Sequence, residues 1–398
     1  MMKDNLLFVS KLYPEALLSD FVNDAKVGLD FAAHNLSMAI WTGFKQNGIK
    51  VDVLNTPQLG SWPKFHNTPF IREYVNKHLV SVSYFNLMYF KRKSLENHVY
   101  KYMYKWCVEH DGDKKILLYN FNYLGVAKKI KRKFPDVKFC MIVTDLPEYM
   151  STSKGLFATI VKTTTHYQDP GKASQYDAID GFILLAKDMK NKMPIDGKPW
   201  IQIEGIYNDE TVLEKVEKDI HKVIMYTGNL GSRYGIPDLL KAFMMIDDPD
   251  YRLWIRGNGE CEYLVKECAK QDSRIRYFDK MSRKELTNLQ QRATIMINPV
   301  HSSEEFSHYF FPSKTLEYLA SGTPTLMSRL SCMPPEYENH LFYFEDESVQ
   351  GMANRIKEIC EKSKSELNDF GLKASMFIKD KKSPKVQIKK IMDFYNTI

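Results

Sequence analysis

The chain has 398 residues, 44% of them hydrophobic and 26% charged, a globular composition that excludes collagen-like, low-complexity and disordered classes. That length predicts two domains, each long enough to bury its own core. The 56 basic residues against 49 acidic ones leave a formal charge of +7. Such an excess permits an anionic partner (a phosphate ligand, an anionic lipid surface or a nucleic acid) without requiring one.

Taken in chain order, the first ten residues hold an apolar run too short for a signal peptide, with no small-residue cleavage site. No stretch approaches the roughly 20 apolar residues that cross a bilayer. Leu6–Val9 reads as a strand, Phe31–Gln46 as a helix closed by Gly48, and Val51–Leu54 as a strand. The segment from Lys11 to Asp30 reads as one long loop. Ile116–Tyr119, Phe139–Val143, Phe182–Leu185 and Trp200–Ile203 are further strands, with the basic helix Val126–Phe134 among them. A charged, helix-like stretch, Thr211–His221, follows the sequence Glu204–Asn208, where the domain boundary is expected.

The second half alternates more cleanly. Strands Val223–Tyr226, Leu253–Ile255, Ile275–Phe278 and Thr294–Ile297 each precede a helix: Ile236–Met245, Cys261–Lys270, Arg283–Arg292 and Lys314–Ala320. A last helix, Lys385–Tyr395, follows a lysine-rich turn. Continuous apolar strands alternating with helices predict an α/β chain with parallel sheets covered on both faces. The expected division is 1–205 plus the terminal helix from about 383 to 398, against 206–382. Six cysteines (107, 140, 261, 268, 332 and 360) show neither a CxxC pair nor zinc spacing, so reduced core thiols in a cytoplasmic protein are expected.

Three loops of the second half are distinctive, because ligands bind where parallel strands end and helices begin. Gly228-Asn229-Leu230-Gly231-Ser232-Arg233 follows a strand directly; its glycines let a ligand approach the backbone, and Arg233 adds charge. The same residues also read as a tight turn. Arg256-Gly257-Asn258-Gly259-Glu260 repeats the arrangement, and a lone GxG equally fits a plain βα turn. In Pro312-Ser313-Lys314-Thr315-Leu316-Glu317, Ser313 reads as an N-cap and Gly322 as the residue past the C-cap. Ser313 and Lys314 at a helix start suit a diphosphate, and Glu317 one turn later can accept two hydrogen bonds from a vicinal diol such as a ribose. A capped surface helix explains the same residues.

In this order and spacing the three loops resemble the retaining GT-B glycosyltransferases of family 4, of the type that builds bacterial capsular and exopolysaccharide. The resemblance runs from Val223 to about Tyr337 and includes Ala293–Pro299 and the sequence Pro312–Pro324; the first half fits in pattern only. It implies two Rossmann-like domains around a cleft, the second holding a nucleotide sugar and the first the acceptor. By position, Glu317 matches the ribose-binding glutamate. Gly228, Asn229, Leu230 and Arg233, with Ser313, Lys314 and Thr315, fall at the donor diphosphate, and Gly257 and Gly259 near the base. Tyr309, eight positions before Glu317, stands where many members carry a glutamate facing the transferred sugar. Thr144-Asp145-Leu146-Pro147 resembles the place of a His-Asp pair, which makes Asp145 a cleft carboxylate; an Asx-turn before Pro147 is the alternative. Gly28 would contact the acceptor.

The expected reaction moves a glycosyl group from a nucleotide-diphosphate sugar to a hydroxyl of a saccharide or lipid-linked acceptor, with no metal and no resident cofactor. A sugar-nucleotide epimerase and an inactive nucleotide-sugar-binding protein are the competing readings. Tyr84–Phe90 running into Lys91-Arg92-Lys93, with the basic helix 126–134, suits peripheral contact with an anionic membrane; a solvated basic face over an aromatic core is the plainer account. No nucleic-acid-binding motif is present.

Overall fold

The computed structural model describes residues 5–146, 172–208 and 216–398. They fall into two compact units, the described residues up to 208 with 384–398, and those from 216 to 383.

Unit 1 runs β1 (Asn5–Ser10), α1 (Glu15–Asp24), α2 (Phe31–Gln46), β2 (Asp52–Asn55), β3 (Phe70–Ile71), β4 (Tyr74–Asn76), β5 (Leu79–Ser81), β6 (Tyr84–Phe85), α3 (Lys91–Glu109), β7 (Lys114–Tyr119), α4 (Leu124–Lys133), β8 (Lys138–Val143), β9 (Gly181–Leu184) and β10 (Trp200–Gln202). Its main sheet has the order β10-β9-β8-β7-β1-β2-β5-β4. Every pair in it is parallel except β4–β5; β3 and β6 form a separate antiparallel ribbon. All six residues of β1 are buried, as a strand covered on both faces requires.

Unit 2 runs β11 (Lys222–Asn229), α5 (Ile236–Met244), β12 (Tyr251–Asn258), α6 (Glu262–Gln271), β13 (Ile275–Phe278), α7 (Arg283–Arg292), β14 (Ile295–Asn298), α8 (Lys314–Ala320), β15 (Thr325–Met327), β16 (Phe342–Tyr343), α9 (Val349–Cys360) and α10 (Lys364–Lys381). Its sheet is wholly parallel, in the order β13-β12-β11-β14-β15-β16. Helix α7 starts at a capping box in which Ser282 and Glu285 satisfy each other's backbone amides. The last helix, α11 (Pro384–Tyr395), packs on α2 in unit 1. The Tyr395 hydroxyl accepts from the Cys140 amide at 3.1 Å and lies 2.8 and 2.9 Å from the carbonyls of Ile116 and Lys138.

Three expectations need correction. The Lys11–Asp30 segment is not a bare loop, since it holds α1. Strands β11 and β12 are longer than read, so Gly228, Asn229, Gly257 and Asn258 are strand-end residues rather than turn residues. Of the helix-like stretch 211–221, residues 211–215 lie outside the described residues, and 216–219 carry no helix. All six cysteines are buried, and none is in a disulfide.

Candidate functional site

The site of unit 2 begins with a register. Gly228 of β11 lies opposite Gly257 of β12, at the carboxyl ends of both strands. A Cβ on Gly257 would collide with the Gly228 carbonyl oxygen, and one on Gly228 would meet the Lys314 Nζ at 3.0 Å. Gly228 also has φ +145°, a conformation side chains rarely adopt. Gly228 therefore leaves room for an ammonium group, and Gly257 lets the two strands approach beside it.

Lys314 opens α8 and turns back onto β11. Its Nζ donates to the Tyr226 hydroxyl at 2.8 Å and sits 4.2 Å from that ring's centroid and 5.6 Å from the Tyr234 ring. The Tyr226 hydroxyl in turn donates to the Asn229 carbonyl at 2.5 Å. Among the described residues no carboxylate pairs with Lys314, and burial pushes its ammonium down to about 7. One turn along, the buried Tyr318 accepts from the Thr227 amide at 2.9 Å and donates to the Thr227 carbonyl at 2.6 Å. Lys314 and Tyr318, four residues apart on one face, stitch α8 to the end of β11.

The loop after β11 is held by its own polar atoms. The Gly231 amide donates to Asn229 Oδ1 at 2.8 Å, and the Leu230 amide donates to the Asn258 carbonyl at 2.9 Å. The Ser232 amide donates to Glu260 Oε1 at 2.8 Å, and the Ser232 hydroxyl donates to the same carboxylate. Those two donors hold the Glu260 carboxyl below its usual range. Arg233 sits among aromatics: its guanidinium carbon is 4.8 Å from the centroid of the Phe306 ring and 5.1 Å from that of the Tyr234 ring, and the guanidinium donates to the Tyr234 hydroxyl at 3.1 Å. Tyr234 thus carries Arg233 and Lys314 as two cationic neighbours.

Gly228, Asn229, Leu230, Gly257, Gly259 and Lys314 are therefore brought together, with Arg233 beside them. Leu230 is fully buried and contributes backbone only. Glu317 points from the exposed face of α8. Tyr309 ends a short 3-10 segment, Glu305–His308, its ring centroid 6.1 Å from that of His308. Ser313 departs from expectation: it has helical dihedrals (φ −52°, ψ −28°), and its side chain makes no capping bond. Gly28 and Asp145 belong to unit 1. A Cβ on Gly28 would meet nothing within 4 Å. Burial of the Asp145 carboxyl pushes its pKa up, against a hydrogen bond from Thr144. Pro147 lies outside the described residues. Lys11, also in unit 1, donates to Gln58 Oε1 at 2.5 Å, and burial lowers it to about 8 against the attraction of Asp30 and Asp145.

Sequence reasoning missed Tyr226 and Tyr318, which sit in apolar runs and look like core. It also missed a set of buried polar atoms without partners: both amide atoms of Asn298, the Thr315 hydroxyl and the Ser328 hydroxyl. Asn298 and Ser328 stand at the carboxyl ends of the neighbouring strands β14 and β15. A buried unsatisfied group costs about 1–3 kcal/mol, so such a set marks a place where a ligand or ordered water completes the bonding. Among the described residues no group of three His, Cys, Asp or Glu side chains has metal-binding geometry.

Residues 209–374 match the family described as glycosyl transferases group 1. No curated protein sequence matches the chain. Among solved structures, sucrose-phosphate synthase from Thermosynechococcus elongatus superposes with a TM-score of 0.64 at 14% identity, covering 99% of each chain. The catalytic domain of starch synthase IV from Arabidopsis thaliana, bound to ADP and acarbose, gives 0.64 at 9% identity, covering 100% of this chain and 99% of that one. The UDP-forming α,α-trehalose-phosphate synthase from Burkholderia vietnamiensis gives 0.61 at 10% identity, covering 100% of both. The fold is GT-B, and the group 1 domain makes the enzyme class that of glycosyltransferases.

Proposed function

We propose that this GT-B glycosyltransferase moves a sugar, with retained anomeric configuration, from a nucleotide-diphosphate sugar to a hydroxyl of a lipid-linked saccharide in the synthesis of a surface polysaccharide. The observation that carries the donor half is the Lys314 ammonium, desolvated, unpaired with any described carboxylate, and aimed by Tyr226 at the paired glycines of β11 and β12. A leaving diphosphate is the anion this arrangement fits. Arg233, held by the Tyr234 hydroxyl, supplies a second cation, and Glu317 accepts from the ribose diol. Asp145, with its raised pKa, is the acceptor-side carboxylate, and Tyr309 faces the transferred sugar.

The acceptor, the linkage to lipid and the role in surface polysaccharide rest on the resemblance of the three loops to the capsular and exopolysaccharide enzymes. Contact with an anionic membrane surface follows from a lipid-linked acceptor, and among the described residues no helix is long and apolar enough to cross a membrane. The test is turnover: the purified protein, given a panel of nucleotide sugars and lipid-diphosphate saccharides, releases nucleoside diphosphate only when both partners are present. Interconversion of donor sugars without an acceptor identifies an epimerase instead, and binding without turnover an inactive binding protein.

A further inference from the structure

Unit 1 carries a lobe at the β4 edge of its sheet. Between β2 and α3 the chain adds β5 and β4 to the edge of the main sheet and builds, apart from that sheet, the β3–β6 ribbon. Beneath it lies a small separate core of Tyr13, Phe21, Leu59, Ile71 and Tyr84. The buried Asn86 ties the lobe together: its Nδ2 donates to the carbonyls of Gly60 at 2.8 Å and Thr68 at 3.1 Å, its amide donates to the Pro69 carbonyl at 2.7 Å, and its carbonyl accepts from the Trp62 amide at 2.8 Å.

The outside of this lobe is aromatic. Tyr89 is 74% exposed, Phe90 64% and Phe85 54%, with Trp62, Phe70 and Met88 also open to solvent. Phe70 and Phe85 pair across the ribbon at 5.1 Å. The structure thus adds Trp62 and Phe70, distant in sequence, to the run 85–90. The charge is one-sided: residues 60–93 hold six Lys or Arg and a single acidic residue, Glu73. Of these, Lys64, Arg72 and Lys93 are exposed, and Arg92 pairs with Glu96 at 2.9 Å.

We infer that this lobe docks on an anionic bilayer surface, Tyr89, Phe90, Phe85 and Trp62 entering the headgroup layer while Lys64, Arg72 and Lys93 meet lipid phosphates. Exposed Tyr, Trp and Phe prefer that interface, and each basic residue near an anionic surface adds about 1 kcal/mol. The occupant is argued from this charge complementarity, and it rests on the lipid-linked acceptor proposed above.

The test is cosedimentation of the full chain with phosphatidylcholine vesicles, with and without phosphatidylglycerol. The expected result is binding that needs phosphatidylglycerol and is lost in high salt. The double variant Tyr89→Ser/Phe90→Ser and the charge variant Lys64→Glu/Arg72→Glu each lower the vesicle-bound fraction by roughly tenfold or more. All four side chains are exposed, so the melting temperature stays put, and a melt of each variant checks this. Equal binding by the wild type and both variants overturns the inference. So does a wild type that ignores the vesicles, or one that is a dimer in solution dispersed by the aromatic pair. Donor turnover with a water-soluble acceptor is read in parallel. Its loss in the wild type contradicts the proposed function, whereas lost vesicle binding with intact turnover bears on the lobe alone.

Discussion

Lys314 is the residue on which the donor account turns, and its protonation gives a signed prediction. Folding lowers it from 10.5 to about 7 by burial. Between those values the unfolded chain holds a proton that the folded chain has released, so this residue's contribution to stability rises with pH across that window. Diphosphate binding runs the other way, because the anion takes the charged form. The donor KM should therefore climb as pH rises above about 7, by up to about tenfold per unit, until the pH passes the higher pKa of the bound complex, where the proton is lost there too. In Lys314→Arg the charge is permanent, and that slope should vanish. Donor KM measured against pH in both proteins checks this, and parallel profiles would remove Lys314 from the phosphate site. Glu317 makes a different kind of prediction. Being exposed, it tolerates Glu317→Ala without loss of melting temperature, while losing a charged hydrogen bond worth about 1.5–3 kcal/mol should raise the donor Kd by about 10–100-fold, read by calorimetry. The sequence singled out Lys314, Glu317 and the glycines because strand ends and helix starts of parallel sheets are places where phosphates bind, and the structure brings Lys314 and the glycines together. Tyr226 and Tyr318 were not, because a tyrosine inside an apolar run gives no sign of what its hydroxyl touches. Ser313 misled for the opposite reason: its type suits a cap, but its dihedrals are already helical.

At the scale of elements, the close approach of β11 and β12 makes Gly257 intolerant of a side chain. Gly257→Ala should cost about 1–3 kcal/mol through overpacking against the Gly228 carbonyl, and donor affinity should fall with it. Denaturant unfolding and calorimetry on one preparation read both. Helix α11 makes a contact of the same kind in unit 1, where a Cβ on Gly43 of α2 would meet the Ile388 side chain and the Pro384 carbonyl. Gly43→Leu should therefore lower the denaturant midpoint while leaving the donor Kd of unit 2 unchanged. Both helices were expected from periodicity, but nothing local to Gly43 tells that it lets them meet. Helix α1 escaped notice because Phe21 is its sole fully buried residue, so the apolar face that would reveal it is nearly absent. The strand ends were read short at Gly228 and Gly257 because glycine marks a turn by default, whereas here it permits strand pairing to continue.

For the whole molecule, alternation of strands and helices fixed the class and the two-sheet organisation, since that pattern reports burial on both faces and nothing finer. The second unit was the more legible because the glycine loops after β11 and β12 are short and sit directly on strand ends. The family match, confined to residues 209–374, falls on the same half. The first unit is tied together by residues gathered from far apart, such as Lys11 with Gln58 and Asn86 with Gly60 and Thr68, and no local spacing announces them. The net charge of +7 is unevenly placed along the chain, residues 60–93 alone holding six Lys or Arg against one acidic residue. The most direct measurement is titration calorimetry of a nucleoside diphosphate panel into the wild type, Lys314→Ala and Glu317→Ala. The account predicts that one diphosphate binds the wild type and that each substitution weakens it by about tenfold or more without unfolding the protein. Binding of equal strength in all three proteins, or no binding by the wild type, would contradict it.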